Sequence, residues 1–417
     1  MTLDEVKVDV TDLQVGMYVC RLDRPWEGTP FLLQGLTVES AEDVALLRSL
    51  CAHVYVDIER GLAPAAPSLQ LAEPAPRKTA VPARLRSYGN DEIAALQGTV
   101  AYPERVEFEQ ELDQARQAHA QAAAFAERAL EEVRGGRAIA VEEVRDAVEP
   151  MVRSLVRNAD AFLWLDALRA RGAYEYRHAL SCSALAAAFG RHVGLPEPLL
   201  LDMASGGLLL DVGKLRLQPA LLASEAPYGD AERRQMQTHV ESGLAIVDAA
   251  GVPEHVREMI RTHHEWIDGS GYPGRLAGDA IPLLGRIAAV IDAYDAMTSD
   301  RPHQPAVAPH IALQSLYRGR GSQFAAEIVE QFMQCMSVYP IGALVELSTG
   351  EVAIVTAQNA ARRLQPRVMV LTDPDKQLLS QFHSIDLLVR AHSDDPVRIA
   401  SALAPGAYGL DPVDLFL

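Results

Sequence analysis

The chain has 417 residues, room for two or three domains each with a full core. Hydrophobic residues at 49% and charged residues at 23% describe an ordinary soluble protein. A formal charge of -18 argues against general binding to a nucleic acid polymer or an anionic membrane, so an anionic ligand needs a locally basic or metal-bearing pocket. Cys20, Cys51, Cys182 and Cys335 lie far apart with no CxxC, which excludes a disulfide framework or a zinc ribbon and fits a reducing cytoplasm. The N-terminus is acidic and lacks the apolar stretch of a signal peptide, and no apolar run reaches spanning length.

Residues 1–62 read as a small α+β domain. Val6, Val8 and Val10 alternate, as do Val15, Met17 and Val19, which is strand period. Ser40 and Asp43 make a capping-box pattern before the apolar-rich segment Val44 to Leu50, and HVYVD at 53–57 reads as a closing strand. Residues 63–90 are a Pro/Ala-rich linker with little surface to bury. In the helical connector, 91–150, Glu104 to Arg134 has the composition of a long exposed helix ended by Gly135-Gly136. Its apolar residues are sparse, so it is expected to lean on a partner or a second subunit, and a homodimer is allowed. Val141 to Leu168 continues helical, with Pro150 placed to break or kink it. Residues 151–337 run on as helices with no strand-period segment. In the last unit, 338–395, ALVEL-STG-EVAIV reads as a β-hairpin, VMVL and IDLLV supply further strands, and the tail from Pro396 carries no signal. The expected class is α+β: a helical domain flanked by a small α+β domain and a small β unit.

Seven of the 12 histidines fall between His178 and His303. HHEWIDGSGYPG, from His263 to Gly274, is the densest stretch: adjacent histidines each need their own partner once out of water, and the glycines permit unusual backbone geometry. The potential ligands sit on successive helices: His178 in YEYRHALSCSALAAAFG, Asp211 in LLLDVGK, His239 in the third, His263 and His264 ending the fourth. Asp292 lies in the otherwise apolar RIAAVIDAYDAM, where a carboxylate needs an ion, an arginine or a cap. His and carboxylate donors suit Fe, Mn, Ni or Zn. Two such ions can activate water and neutralise a phosphodiester attacked in line. Lys214 and Arg301 would then hold phosphate, although Lys214 also fits a helix C-terminus and Tyr272 also fits a core. His192 and His255 read as surface residues.

The pieces YRHALSCSALA, LLDVGK, THVESG, HHEWIDGSGYP and IDAYDAMTSDRP occur in the order of the HD-GYP family of HD metal-dependent phosphohydrolases, which this stretch resembles. The first 60 residues resemble a domain of unknown function often found before HD-GYP domains, and the unit opening YPIGALVELSTGE resembles the end of such proteins. The resemblance implies hydrolysis of cyclic di-GMP to pGpG or GMP at a two- or three-metal centre, of which one or two divalent ions are expected in this chain. It implies His178, Asp211, His239, His263, His264 and Asp292 as metal ligands, with Asp211 bridging and acting in catalysis beside Lys214. Lys214, Arg301 and Tyr272 would contact substrate. The loop Gly271-Tyr272-Pro273 is associated in the family with contacts to diguanylate cyclase domains. Three departures stand out. Leu210 replaces the histidine of the HD pair, Tyr174 stands where three-metal members carry glutamate, and His303 and Gln304 replace the usual tyrosine and basic residue. Impaired hydrolysis, or a protein that binds cyclic di-GMP or a partner without turnover, is therefore expected.

Overall fold

In a computed structural model, the described residues are 5–23, 36–38, 40–57, 88–168, 174–224, 226–301, 304–359, 362–391 and 396–416. The linker expectation for residues 63–87 and the departure at His303 lie outside them. The chain separates into two compact units, residues 1–84 and 85–417.

The first unit is an antiparallel sheet with one helix. Strands β1 (Glu5–Asp9), β2 (Tyr18–Leu22), β3 (Leu36–Thr37) and β4 (His53–Asp57) lie in the order β1-β4-β2-β3, and α1 spans Ala41–Leu50. Ser40 accepts from the Asp43 amide at 3.1 Å while Asp43 accepts from the Ser40 amide at 2.9 Å, so the box starts α1 as the pattern predicts. Met17, Val19, Val54 and Val56 are fully buried beneath Leu47.

The second unit begins with α2 (Asn90–Leu96), α3 (Phe108–Arg134), α4 (Val141–Arg157) and α5 (Ala159–Ala167). The helix α3 does not wait for a second subunit. Its narrow stripe of Ala115, Ala118, Ala122, Phe125, Ala126 and Ala129 is buried in the main core, because alanines let neighbouring helices approach closely. The segment predicted as one helix from Val141 to Leu168 is two. Asn158 leaves helical geometry, accepts from the Ala161 amide at 3.0 Å and caps α5, while α4 continues unbroken past Pro150.

Then follow α6 (Tyr174–His192), α7 (Glu197–Leu209), a 3-10 turn (Val212–Arg216), α8 (Pro219–Leu222), α9 (Asp230–Gln237), α10 (His239–Ala250), α11 (Glu254–Thr262), α12 (Leu283–Thr298), α13 (Pro309–Gly319) and α14 (Ala326–Met336). The C-terminal sheet comprises β5 (Leu344–Leu347), β6 (Val352–Ala357), β7 (Arg367–Thr372), β8 (Leu378–Asp386) and β9 (Ile399–Ala402), all antiparallel in the order β8-β7-β6-β5-β9. The predicted hairpin is β5-β6. Only the first two residues of IDLLV belong to a strand; the rest turn into α15 (Leu387–Arg390). The tail is not featureless: β9 pairs with β5, and α16 (Pro412–Phe416) follows. Strand β6 is buried along its whole length because one face joins the helical core through Val352 and Ile354 while the other packs on Val345 and Val368. The architecture is α+β, a helical domain with a small sheet at either end of the chain. Among the described residues, no helix is long and apolar enough to cross a membrane.

Two histidines expected on the surface are elsewhere. His255 is buried; its Nε2 donates to Asp202 at 3.0 Å and its Nδ1 accepts from the Tyr88 amide at 3.0 Å. His192 is half-buried, stacks on Phe189 and meets Gln331 at 3.2 Å. Both sit on helix faces that another helix covers, which single-helix patterning does not reveal.

Candidate metal centre and substrate pocket

Local chain geometry puts the histidines in place. Helix α11 stops at Thr262, so His263 leaves it as the C-cap and folds its ring back, Nδ1 donating to the Ile260 carbonyl at 2.6 Å. His239, the first residue of α10, does the same to the Met236 carbonyl at 2.7 Å. Since a carbonyl can only accept, each Nδ1 carries the proton and each Nε2 is left as a bare lone pair. The two Nε2 atoms face each other at 3.5 Å, and the Asp211 Oδ1 lies 3.3 Å from one and 3.9 Å from the other. That oxygen is buried and accepts no hydrogen bond. Burial pushes the His239 pKa down to about 4, the nearby Asp211 only partly opposing it, so His239 Nε2 carries no proton near neutral pH.

Three acceptors pointed at one another in a dry space are unstable without a cation. Two imidazole nitrogens and a carboxylate oxygen are the donor set of a borderline divalent ion such as Fe, Mn, Ni or Zn, and the residues fit one. His264 completes the group: suitable atoms of Asp211, His239, His263 and His264 all lie within 4.8 Å of one another.

A second group shares Asp211. His178 Nε2 lies 3.2 Å from Asp211 Oδ2 and 3.1 Å from Asp292 Oδ1, so Asp211 turns one oxygen to each group. The His178 ring is held from behind by Asp295, whose Oδ2 accepts from Nδ1 at 2.7 Å. His264 Nδ1 stands 3.8 Å from the other Asp292 oxygen. The structure thus brings His178, Asp211, His239, His263, His264 and Asp292 together. Leu210, the C-cap of α7 next to Asp211 and only 1% exposed, belongs to the hydrophobic core and offers no donor.

Gly213 makes the assembly possible. A Cβ there would meet the His239 carbonyl oxygen at 1.9 Å and the Gly243 nitrogen at 2.4 Å, so the turn bearing Asp211 and Lys214 presses directly on α10. Lys214 ion-pairs with Asp211 Oδ2. Burial is the largest influence and works against its charge, but Asp211, Tyr174 and Asp292 together overcome it and raise its pKa, so it is an ammonium. The loop Gly271-Tyr272-Pro273 closes the other side. Tyr272 stacks on His264 with centroids 4.7 Å apart, and its amide donates to the His264 carbonyl at 3.0 Å.

Of the clustered residues, His239 and His264 line a cavity of about 700 Å³ together with Lys214, Arg301, Tyr272, Tyr174 and Tyr228. Arg301 Nη2 donates to Gln304 at 2.6 Å, while its buried Nε has no partner among the described residues. Sequence reasoning did not assign Asp295, Tyr228, Glu175 or Arg134 to the site, although the last three line the same cavity. Asp295 had a readable signal, since it lies one turn after Asp292 in an apolar helix. Arg134 and Tyr228 had none.

A family model described as an HD domain matches residues 162–328, and one described as a domain of unknown function (DUF3391) matches residues 5–144. A protein of Pseudomonas aeruginosa named cyclic di-GMP phosphodiesterase PA4108 is 32% identical over 411 residues, covering 97% of this chain and 94% of its own. The chain belongs to the HD-GYP type of HD-domain phosphodiesterases. Within this HD-GYP family, a Vibrio cholerae cyclic di-GMP phosphodiesterase is 32% identical across 46% of this chain and 40% of its own. The 3'3'-cGAMP-specific phosphodiesterase 2 of the same organism is 31% identical across 46% and 35%.

Proposed function

We propose that this HD-GYP protein is a metal-dependent phosphodiesterase that opens cyclic di-GMP to pGpG or GMP, working at a reduced rate because Leu210 leaves one metal position short of a ligand. The observation that carries the reading is the facing set of His239 Nε2, His263 Nε2 and Asp211 Oδ1, with both imidazole protons committed to backbone carbonyls.

His239, His263, His264 and Asp211 would hold one ion, and His178, Asp292 and the second oxygen of Asp211 another. Bound there, divalent ions supply Lewis acidity and an activated water. The chain's own residues do the rest. Lys214, fixed by Asp211, offers a point charge to a phosphate oxygen, and the Nε of Arg301, without a partner among the described residues, offers a directed donor beside it. Tyr272, packed on His264, forms the lid of the reacting end and keeps water out on that side. Asp295 holds the His178 ring so that Nε2 faces the carboxylates. Because the chain is acidic overall, these cations make the cavity a local exception that admits a dianion. Four cysteines that form no disulfide with one another suit the cytoplasm, where such a nucleotide would be met.

A second reading, binding of cyclic di-GMP without turnover and docking to diguanylate cyclase domains through Gly271-Tyr272-Pro273, is favoured by Leu210 alone. Metal analysis and a hydrolysis assay separate the two. Loaded with Mn or Fe, the full chain should hold more than one ion per chain and convert cyclic di-GMP to linear product, and His239→Ala should abolish both. Tight binding with no product at any metal supply would sink the enzyme reading and leave the binder.

A further inference from the structure

The cavity contains one arginine that the HD segment does not supply. Arg134 is the last residue of α3, outside residues 162–328, yet it lines the same space as Lys214 and Arg301. Its Nη1 is ion-paired with Glu131, and Glu131 in turn accepts from the Tyr176 hydroxyl on α6. The guanidinium is therefore held from two helices through Nη1, which leaves Nη2 and Nε as its second edge. Glu175, at the start of α6, lines the cavity too. A carboxylate in the wall of a pocket for a dianion is unfavourable unless it accepts hydrogen bonds from the ligand. Tyr174 and Tyr228 add aromatic surface to the same wall, and Tyr174 is fixed by stacking on His178 at 5.2 Å.

An oriented arginine fork, a carboxylate and aromatic faces are the complement of guanine. The base presents O6 and N7 as paired acceptors to an arginine, and its N1–H and N2–H2 donors suit a carboxylate. Adenine reverses one member on each edge, offering N6–H2 where arginine needs an acceptor. We propose that Arg134 and Glu175 read a guanine of the cyclic dinucleotide, so that a residue outside the HD segment sets base preference. This rests on the cyclic-dinucleotide reading above. Arg134 acts in recognition here and takes no part in the chemistry at the phosphate.

Calorimetric titration of the full chain with cyclic di-GMP, 3'3'-cyclic GMP-AMP and cyclic di-AMP, with ligand integrity checked by chromatography, tests it. The parent should prefer cyclic di-GMP over cyclic di-AMP. Arg134→Ala should lose at least about tenfold in affinity for cyclic di-GMP, the discrimination one bidentate contact gives, while cyclic di-AMP changes less than about twofold. Glu175→Ala should narrow the preference in the same direction. Arg134→Lys keeps the charge but not the fork and should behave like the alanine variant. The Arg134 side chain is 43% exposed, so thermal melts should be unchanged. If Arg134→Ala weakens all three ligands alike and Arg134→Lys restores them, Arg134 holds phosphate and the guanine reading is wrong. An unchanged preference in every variant would overturn it equally. If the parent binds none of the three, the cyclic-dinucleotide function itself falls and takes this inference with it.

Discussion

Leu210→His is the sharpest test of how far the site has departed from hydrolysis. The leucine is 1% exposed at the end of α7, one residue before Asp211. Replacing it removes a fully buried side chain worth about 1.5–3 kcal/mol and inserts a polar ring that costs about 1–3 kcal/mol until it finds a partner. Without metal, the variant should therefore be less stable than its parent by roughly 4 kcal/mol, about 8 °C in Tm for a unit of this size. A divalent ion at a hundred times its Kd restores about 2.7 kcal/mol by binding only the native state, so most of the loss should return when Mn or Fe is added. Metal per chain should rise with it, and cyclic di-GMP hydrolysis should increase by roughly tenfold or more, the scale on which even ligand-orienting residues act. Calorimetry with and without metal, elemental analysis and a hydrolysis assay read the three effects. A variant destabilised in both buffers that gains neither metal nor rate would refute the idea that one ligand is what the site lacks.

Gly213→Ala should destabilise the second unit by about 3 kcal/mol or more and lower metal content, because its Cβ has no space against the His239 carbonyl; the urea midpoint and elemental analysis check this. Asp295→Asn should weaken Mn binding by about 10–100-fold in a competition titration without changing the fold, since it touches His178 from behind, and an unchanged affinity would remove Asp295 from the site. His192 gives a pH signature away from the metal. Burial pushes its pKa down to about 4, with Arg363 adding to the effect and Gln331 opposing it, whereas the unfolded chain protonates near 6.5. The unfolded state thus binds the extra proton between those values, and stability should fall as pH drops from about 6.5 to 4, by on the order of 2 kcal/mol for this half-buried ring. His192→Gln should flatten that part of the urea-midpoint profile, and an identical acid slope in both proteins would contradict the assignment.

What could be read from the chain depended on whether the deciding physics was local. The Ser40-Asp43 box, the β5-β6 hairpin and the alternation at Val6 and Val8 are fixed by near neighbours and form where the pattern puts them, whereas Val10 turns into a 3-10 segment and Val15 and Met17 precede β2, which takes up only Val19. The burial of α3 is different. An alanine stripe looks weakly apolar in sequence, and only the presence of α4, α5 and α6 turns it into a close-packed seam. Strand β9 has the same explanation: Ile399–Ala402 is too short and mixed to declare itself, and it is a strand because β5 offers it an open edge. Arg134 reaches the pocket through the angle at which α3 crosses the site, a tertiary quantity with no trace in spacing.

The clustering of the histidines and carboxylates was legible for the opposite reason, since isolated buried polar groups advertise an unmet need. Adjacent histidines on a continuing helix would point about 100° apart and could not serve one cluster. Ending α11 at Thr262 resolves this: His263 uses its own ring to satisfy a carbonyl of the last turn, and His264 is carried into the loop. The ring centroids then lie only 4.0 Å apart, with His263 turned to Asp211 and His264 toward Asp292. Holding that conformation requires the following chain to return against it. Gly271 does so, its missing Cβ leaving the space that the His264 carbonyl and the Trp266 amide fill at 2.5 and 2.4 Å from where that atom would stand. The buried Glu265 carboxylate fastens the return by accepting from the Gly274 and Leu276 amides. The glycine-tyrosine-proline loop and the histidine pair are consequently one mechanical unit. A side chain at position 271 would disturb the histidine cluster through the His264 backbone, although Gly271 is not part of that cluster.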